Sequence, residues 1–494
     1  MTSTTDKETQ LAYLSLLYEA VNETCRAGAD VTHSSGLAGH EENLSDTEIF
    51  LCKLAQICDS KRGGDTITAA ACLKGPNGEP EYILSSNARQ GSESNSCVTY
   101  LKNLLNHVIE NPDHLQPRAQ RKQVLWRILE FNVGRVGLYL QALFETVEHC
   151  IENCHEGNYS PVMKHLLTIQ ERCGFELVMD STENSKPLFL SNCENLINIV
   201  QDTKAKGFGR ILDEYANMPG NPYWSQLRHL LGRLHSYRHA ADTIVAASKK
   251  QEKLFRNITV TFVSSALPAR SLVPQGIPLH RLLRTAFPDT ASFAASCGSD
   301  IAELENSGLH DQVARLQNRH RTRTTVHCEV LLHGYLYEQG KTSPMQFFED
   351  NCFIATSKPP CKLCHVYFAA LSGRFRVRAP HLNIYPKWRL PDMDDADREE
   401  ILDDMIEQMQ DDTMSLLRNK RALWRRNDSR TDTHAGFQSA LGSGILGSSR
   451  SGGVSVRPES AMSMRSQTVS EMPPPRYLQP VSTATSVGGW GLLG

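Results

Sequence analysis

The chain has 494 residues, 40% of them hydrophobic, and a formal net charge of −3: long for one domain and ample for a buried core. The near-balanced charge argues against a generally basic protein that coats nucleic acid, and no apolar run approaches membrane-spanning length. Fourteen cysteines without a compact repeating framework, and no basic-then-apolar N-terminal stretch, predict a reducing compartment, cytosol or nucleus.

Residues 1–250 read as an irregular helical domain. From Leu125, the positions Ile128, Leu129, Val133, Val136, Leu140, Leu143, Phe144 and Val147 fall on one helical face, with Gly157 as a stop. A second such segment follows Asn221-Pro222, carrying Leu227, Leu230, Leu231, Leu234, Ala241, Ile244 and Val245. The polar stretches Thr32 to Glu48 and Ser85 to Ser96 read as loops, and no fixed-period repeat supports a solenoid. Two constellations here have the outline of a metal site. His149-Cys150 and Cys154-His155 read as a helix end with core cysteines, and His235 and His239 as a solvated helix face, since no glutamate follows His235.

A basic cluster comes next, with Arg315, Arg319, His320, Arg321 and Arg323 just before His327. It reads either as a pocket mouth that holds the phosphate of a nucleotide or strand, or as a solvated segment. The chemistry-bearing motif then follows: His327-Cys328-Glu329 and, about one helix and one strand later, Pro360-Cys361-Lys362-Leu363-Cys364. His327, Cys361 and Cys364 supply three ligands for Zn2+, whereas a structural zinc closes its tetrahedron with four. Water on such an ion becomes a hydroxide-like nucleophile near neutral pH, and Glu329 is the carboxylate offered to shuttle its proton. A closed structural site remains open as a reading, with Cys328, Cys352 or His365 as fourth ligand.

Residues two apart on a helix do not face each other, so His327 and Glu329 meet one metal only if His327 lies at the helix start. Thr324-Thr325-Val326 looks extended, and Val330, Leu331, Leu332, Tyr335 and Leu336 give a helical stripe. The second half repeats the plan, with Phe353-Ile354-Ala355-Thr356 as a buried strand, Pro359-Pro360 as the turn, and a helix through Val366, Phe368 and Leu371. Cys361 is thereby placed at a helix N-terminus, where the dipole favours thiolate.

The H-x-E and P-C-x-x-C pair is the pattern of zinc-dependent base deaminases. Residues from about Ile258 to Leu390 resemble fungal deaminase-like proteins of the nucleic acid/nucleotide (cytidine) deaminase superfamily, a branch first defined from an intracellular bacterium. The resemblance rests on Val326-His327-Cys328-Glu329, on Ile354 through Cys364, and on Tyr385-Pro386-Lys387-Trp388, similar to a strand such proteins carry after the second zinc helix. It implies a three-layer α/β/α domain with a mixed sheet over residues 256–392, zinc on His327, Cys361 and Cys364, and Glu329 as proton shuttle. Because related deaminases often place an asparagine upstream of the zinc histidine, Asn318 is a candidate base contact beside Arg321 and Arg323.

Residues 393–430 form a charged helical extension. Ile401, Leu402, Met405, Ile406 and Met409 recur at helical intervals, and Arg418, Lys420, Arg421, Arg425, Arg426 and Arg430 surround Trp424. That basic cluster reads as a nucleic-acid or nuclear-import segment, or as part of a helix packed on the zinc domain. From Thr431 the Ser-, Gly- and Pro-rich composition predicts a disordered tail. The fold class expected is thus α+β or α/β. The function expected is a zinc-dependent hydrolytic deaminase acting on cytosine or adenine in a nucleotide or nucleic acid. The alternative is a catalytically silent zinc-bearing scaffold, its helical half and tail recruiting protein partners.

Overall fold

The computed structural model describes residues 4–28, 44–154, 161–175, 185–216, 222–319, 323–371 and 373–420. Gly157, Arg321, Trp424 with Arg421, Arg425, Arg426 and Arg430, and the tail from Thr431 lie outside the described residues.

The site is carried by a mixed five-stranded sheet with the order β3-β2-β1-β4-β5. Its strands are β1 (Thr68–Lys74), β2 (Pro80–Ser86), β3 (Thr259–Val263), β4 (Phe353–Thr356) and β5 (Arg376–Val377). β1 and β2 form an antiparallel hairpin in full register, Thr68 opposite Ser86 through Lys74 opposite Pro80. The intervening Gly75-Pro76-Asn77-Gly78-Glu79 closes on itself, with the Gly75 N–H on the Glu79 carbonyl at 2.7 Å and Gly78 at φ +82°, a conformation only glycine takes at no steric cost. β4 runs antiparallel to β1, and β5 parallel to β4.

β3 is parallel to β2, pairing Tyr82 with Val260, and a parallel pair needs a long crossover. The helical block is that crossover: α3 (Ser92–Glu110), α4 (Pro117–Phe131), α5 (Val133–Glu152), α6 (Pro161–Cys173), α7 (Ser185–Thr203), α8 (Gly209–Ala216) and α9 (Pro222–Lys250). The sheet therefore takes strands from both sides of the boundary expected at residues 250–256, and the described residues all fall within one compact unit. The stripe from Leu125 to Val147 spans two helices, not one. Asn132, fully buried, interrupts it by donating its amide to the Ile57 and Ile128 carbonyls.

Side chains alternate across the sheet with the period of two that a strand requires. On one face Ala70, Cys72, Tyr82, Leu84, Phe353 and Ala355 join the core built by the crossover helices and α2 (Asp46–Cys58). On the other, Ala69, Ala71, Leu73, Ile83 and Ile354 join a second core. That second layer is made by α1 (Thr4–Gly28), α10 (Leu279–Ala286), α11 (Thr290–Asn306), α12 (Leu309–Arg319), α13 (Cys328–Glu338), α14 (Lys362–Ala370) and α15 (Asp395–Asn419). The molecule is thus α+β, with helices on both faces of the sheet.

α15 buries Ile401, Leu402, Met405, Ile406 and Met409 against this second core. Lys362 of α14 reaches it through an ion pair with Asp412 at 2.5 Å. Residues 385–388 make no strand. Pro386 lacks a donor, and the segment touches its neighbour through a single bridge between Thr325 and Trp388. Among the described residues no helix is long and apolar enough to cross a membrane.

Candidate metal centre

Two helix N-termini meet here, α13 after the extended residues 323–327 and α14 after β4. His327 is the N-cap of α13, with extended backbone at φ −71° and ψ 149°, so its ring leaves the helix before the regular turn begins. Its side chain caps nothing. The orphan Cys328 N–H is satisfied instead by Asn87 Oδ1 at 2.8 Å, from the residue just after β2, and the Ser85 hydroxyl donates to the Cys328 carbonyl at 2.7 Å. The hairpin thereby fixes where the zinc-motif helix starts. Cys361 is the N-cap of α14, and its Sγ accepts the Cys364 N–H at 3.5 Å.

These caps bring three donor atoms together. Cys361 Sγ lies 3.5 Å from His327 Nδ1 and 3.5 Å from Cys364 Sγ, and Cys364 Sγ lies 3.3 Å from His327 Nδ1. A tetrahedral zinc with ordinary bond lengths puts two sulfurs about 3.8 Å apart and sulfur and nitrogen about 3.6 Å apart. The observed triangle has that shape, slightly contracted, so the donor set fits the ion. Among the described residues this is the one group of histidine, cysteine and acidic side chains close enough to share a metal. Cys352 points elsewhere, toward the Thr342 carbonyl, and Cys328 donates to Glu329 Oε2 at 3.2 Å. Neither of them, nor His365, joins the triangle as a fourth ligand.

The charges of the three groups are coupled. Burial opposes ionisation of Cys361, but the Cys364 thiol and the His327 ring hold it well below the usual thiol range. Cys364 is pushed well above that range by burial, then by Cys361 and the Glu329 carboxylate. Its burial opposes charge on His327, yet the neighbouring Cys361 raises it above the ordinary imidazole value. A further donor reaches the sulfurs from outside: Trp388 Nε1–H lies 3.3 Å from Cys364 Sγ. The Thr325–Trp388 bridge, with the Thr325 N–H on the Lys387 carbonyl at 2.7 Å, holds the indole in place.

Glu329 is buried in the first turn of α13 and lines the same cleft as His327 and Cys361. That cleft is open and has a volume of about 1270 Å³. One wall is the loop Gly63–Ile67, pinned where the Asn87 amide donates to the Gly64 carbonyl at 3.0 Å. The other walls come from residues 268–271, from Arg319, Arg323 and Thr325, and from residues 358–361 and 381–387. Of the residues expected to touch substrate, Arg323 lines the cleft. Asn318 is exposed on α12 and does not, and Arg321 lies outside the described residues.

Asn87 occupies the cleft in its place, and no local pattern singled it out, since it lies 241 residues from the Cys328 it caps. Arg270, Lys358 and Lys387 were missed for the same reason. Among the described residues the other metal-like constellations form no metal-sized group. Cys150 is fully buried in the core, the His149 ring lies tilted against Tyr223 at 4.6 Å, and His155 lies outside the described residues. His235 packs edge-on against His239 at 4.3 Å, and burial pushes its pKa down to about 3.

Residues 326–392 match the OTT_1508-like deaminase family. The match covers α13, β4, α14, β5 and the Trp388 segment, which is well under half of the chain and excludes the β1–β2 hairpin. No curated protein and no solved structure matches the chain. The deaminase-like segment is therefore the part that carries the triangle, Glu329 and Trp388, while the strands that complete its sheet lie far outside it in sequence.

Proposed function

We propose that the protein is a zinc-dependent hydrolytic deaminase acting on an aminated base in a nucleotide or nucleic acid. One observation carries this reading: a three-donor triangle of zinc dimensions opens onto a cleft that also holds a buried carboxylate outside the triangle. A zinc ion there supplies the Lewis acidity that activates water at neutral pH. The remaining work falls to the chain. Glu329 takes a proton from the attacking water and delivers it to the ring nitrogen, then helps the exocyclic amine leave as ammonia. Water adds to the amine-bearing carbon across the ring C=N bond, the exocyclic C–N bond then breaks as ammonia leaves, and no electrons change hands, so no oxidant or reductant is needed. Cys328 orients the Glu329 carboxylate through its S–H at 3.2 Å, and Trp388 holds Cys364 toward the triangle.

The test is zinc stoichiometry together with ammonia release from a panel of free bases, nucleotides and single strands. Glu329→Ala should retain one zinc per chain and lose ammonia release by at least a hundredfold. Cys361→Ala should lose the metal. If both variants match the parent on every substrate, the catalytic reading is refuted. A parent that holds zinc and releases no ammonia from any substrate leaves the scaffold reading.

A further inference from the structure

Five cationic side chains reach the cleft from four stretches of the chain: Arg270, Arg319 with Arg323, Lys358 and Lys387. Against them stand Asp65 and the buried Glu329. The chain as a whole is slightly acidic, so this is a local concentration of charge and not a reflection of composition. Arg319 is answered by Glu23 at 3.4 Å, whereas Arg270, Arg323 and Lys387 make no ion pair among the described residues. Arg270 and Arg323 are exposed at the rim, and Lys387 is half-buried on the segment that bridges to Thr325.

Size and an aromatic face narrow the ligand. The cleft, at about 1270 Å³, exceeds the roughly 300–1,000 Å³ that a small-molecule pocket needs. Tyr385 stands in it with 38% of its surface exposed, its ring 6.1 Å from the His327 ring and 5.8 Å from that of His381. A cationic groove with an aromatic platform is the arrangement that binds single strands, and a base in a duplex is out of reach of such a site.

We infer that the cleft takes a single-stranded polynucleotide, with Tyr385 as the stacking face beside the reacting base and Arg270, Arg323 and Lys387 on the flanking phosphates. This deepens the deaminase reading and rests on it for the identity of the reacting base. A nucleoside monophosphate carries a single phosphate group against the five cationic side chains that line the cleft.

The experiment uses the full-length, zinc-loaded Glu329→Ala protein, which cannot turn over. It is titrated by fluorescence anisotropy with labelled mixed-sequence 15-mers of DNA and RNA, across a salt series. The triple variant Arg270→Ala/Arg323→Ala/Lys387→Ala should weaken binding at least tenfold and reduce the salt slope by roughly 2, or about 0.7 per phosphate contact. Tyr385→Ala should weaken it roughly 5- to 150-fold, with Tyr385→Phe close to the parent. Unchanged zinc content and circular dichroism establish that each variant is folded. The C-terminal basic cluster is controlled by Arg425→Ala/Arg426→Ala.

The inference is overturned if the cleft variants bind like the parent while the C-terminal variant loses binding. It is also overturned if a mononucleotide competes as well, mole for mole, as the strand. Ammonia release from free nucleotides without strand binding refutes the strand and leaves the deaminase. Cleft-dependent strand binding without ammonia release from any substrate refutes the deaminase and leaves a strand-binding surface.

Discussion

Trp388→Phe isolates the one side-chain donor that, among the described residues, reaches a sulfur of the proposed zinc site from outside the triangle. The indole is 7% exposed, and its Nε1–H lies 3.3 Å from Cys364 Sγ. Phenylalanine keeps an aromatic ring next to Tyr367, whose centroid is 6.2 Å away, and removes the donor. A hydrogen bond to an ionised sulfur in a buried site contributes about 1.5–3 kcal/mol. That agrees with the 10- to 100-fold loss of metal affinity, about 1.4–2.7 kcal/mol, usual when an outer partner of a ligand is removed. The smaller ring also loosens packing, but that cost is common to the metal-free and zinc-loaded forms. The informative quantity is therefore the zinc-induced increment in stability, which falls by the same 1.4–2.7 kcal/mol at saturating free zinc. Competition against a chromophoric chelator gives the affinity, and urea unfolding with and without zinc gives the increment. A change in zinc affinity below threefold, with the increment intact, would refute the role assigned to Trp388.

Two further predictions concern the frame around the site. Arg135 and Asp59 form a buried pair at 2.6 Å, and Asp59 also accepts the Thr66 and Ser357 hydroxyls, tying the crossover helices to the cleft loop. Arg135→Met should cost about 3–5 kcal/mol in urea unfolding, because it strands a buried carboxylate. The double variant with Asp59→Asn should cost less than the sum of the two single variants, and strict additivity would show that the pair is not coupled. Burial, and then the charge of Arg374, lowers the His333 pKa from 6.5 to about 4. The unfolded chain thus binds a proton there that the folded chain refuses between those values, and stability falls as pH drops from about 6.5 to about 4. From pH 7 to 5 the loss from this group is about 2 kcal/mol, and His333→Asn should remove it; an unchanged pH profile in that variant counts against the assignment.

How much of this was legible beforehand varied with the range of the interactions. The caps at His327 and Cys361 are short-range features, readable because extended residues, a turn and an apolar stripe follow one another within a few positions. β1 was not legible: Thr-Ala-Ala-Ala-Cys-Leu-Lys has the composition of a helix, and a strand covered on both faces shows no alternation. Its one local signal is the Asn77-Gly78 turn between two apolar runs. The break at Asn132 was hidden too, because the apolar spacing continues through it and only its partner Ile57 in α2 shows why the helix stops.

The order of residues in the chain by itself offered His327, Cys361 and Cys364 as ligands, a carboxylate beside them, and two helices that begin at the ligands. Each of these depends on neighbours within a turn or two. The exclusion of Cys328, Cys352 and His365 as a fourth ligand came from the structure. Tertiary structure alone decided which asparagine reaches the cleft, Asn87 instead of Asn318, and which loops bring Arg270, Lys358 and Lys387 to one opening. It alone showed that the helices between Ser92 and Lys250 are the crossover of the sheet that carries the site, and that β1 and β2 of that sheet lie within the half read as helical. The physical reason is that β-pairing and cleft formation join residues hundreds of positions apart, and the free energy that selects those partners comes from burying both faces of one sheet, which no local stretch of sequence expresses.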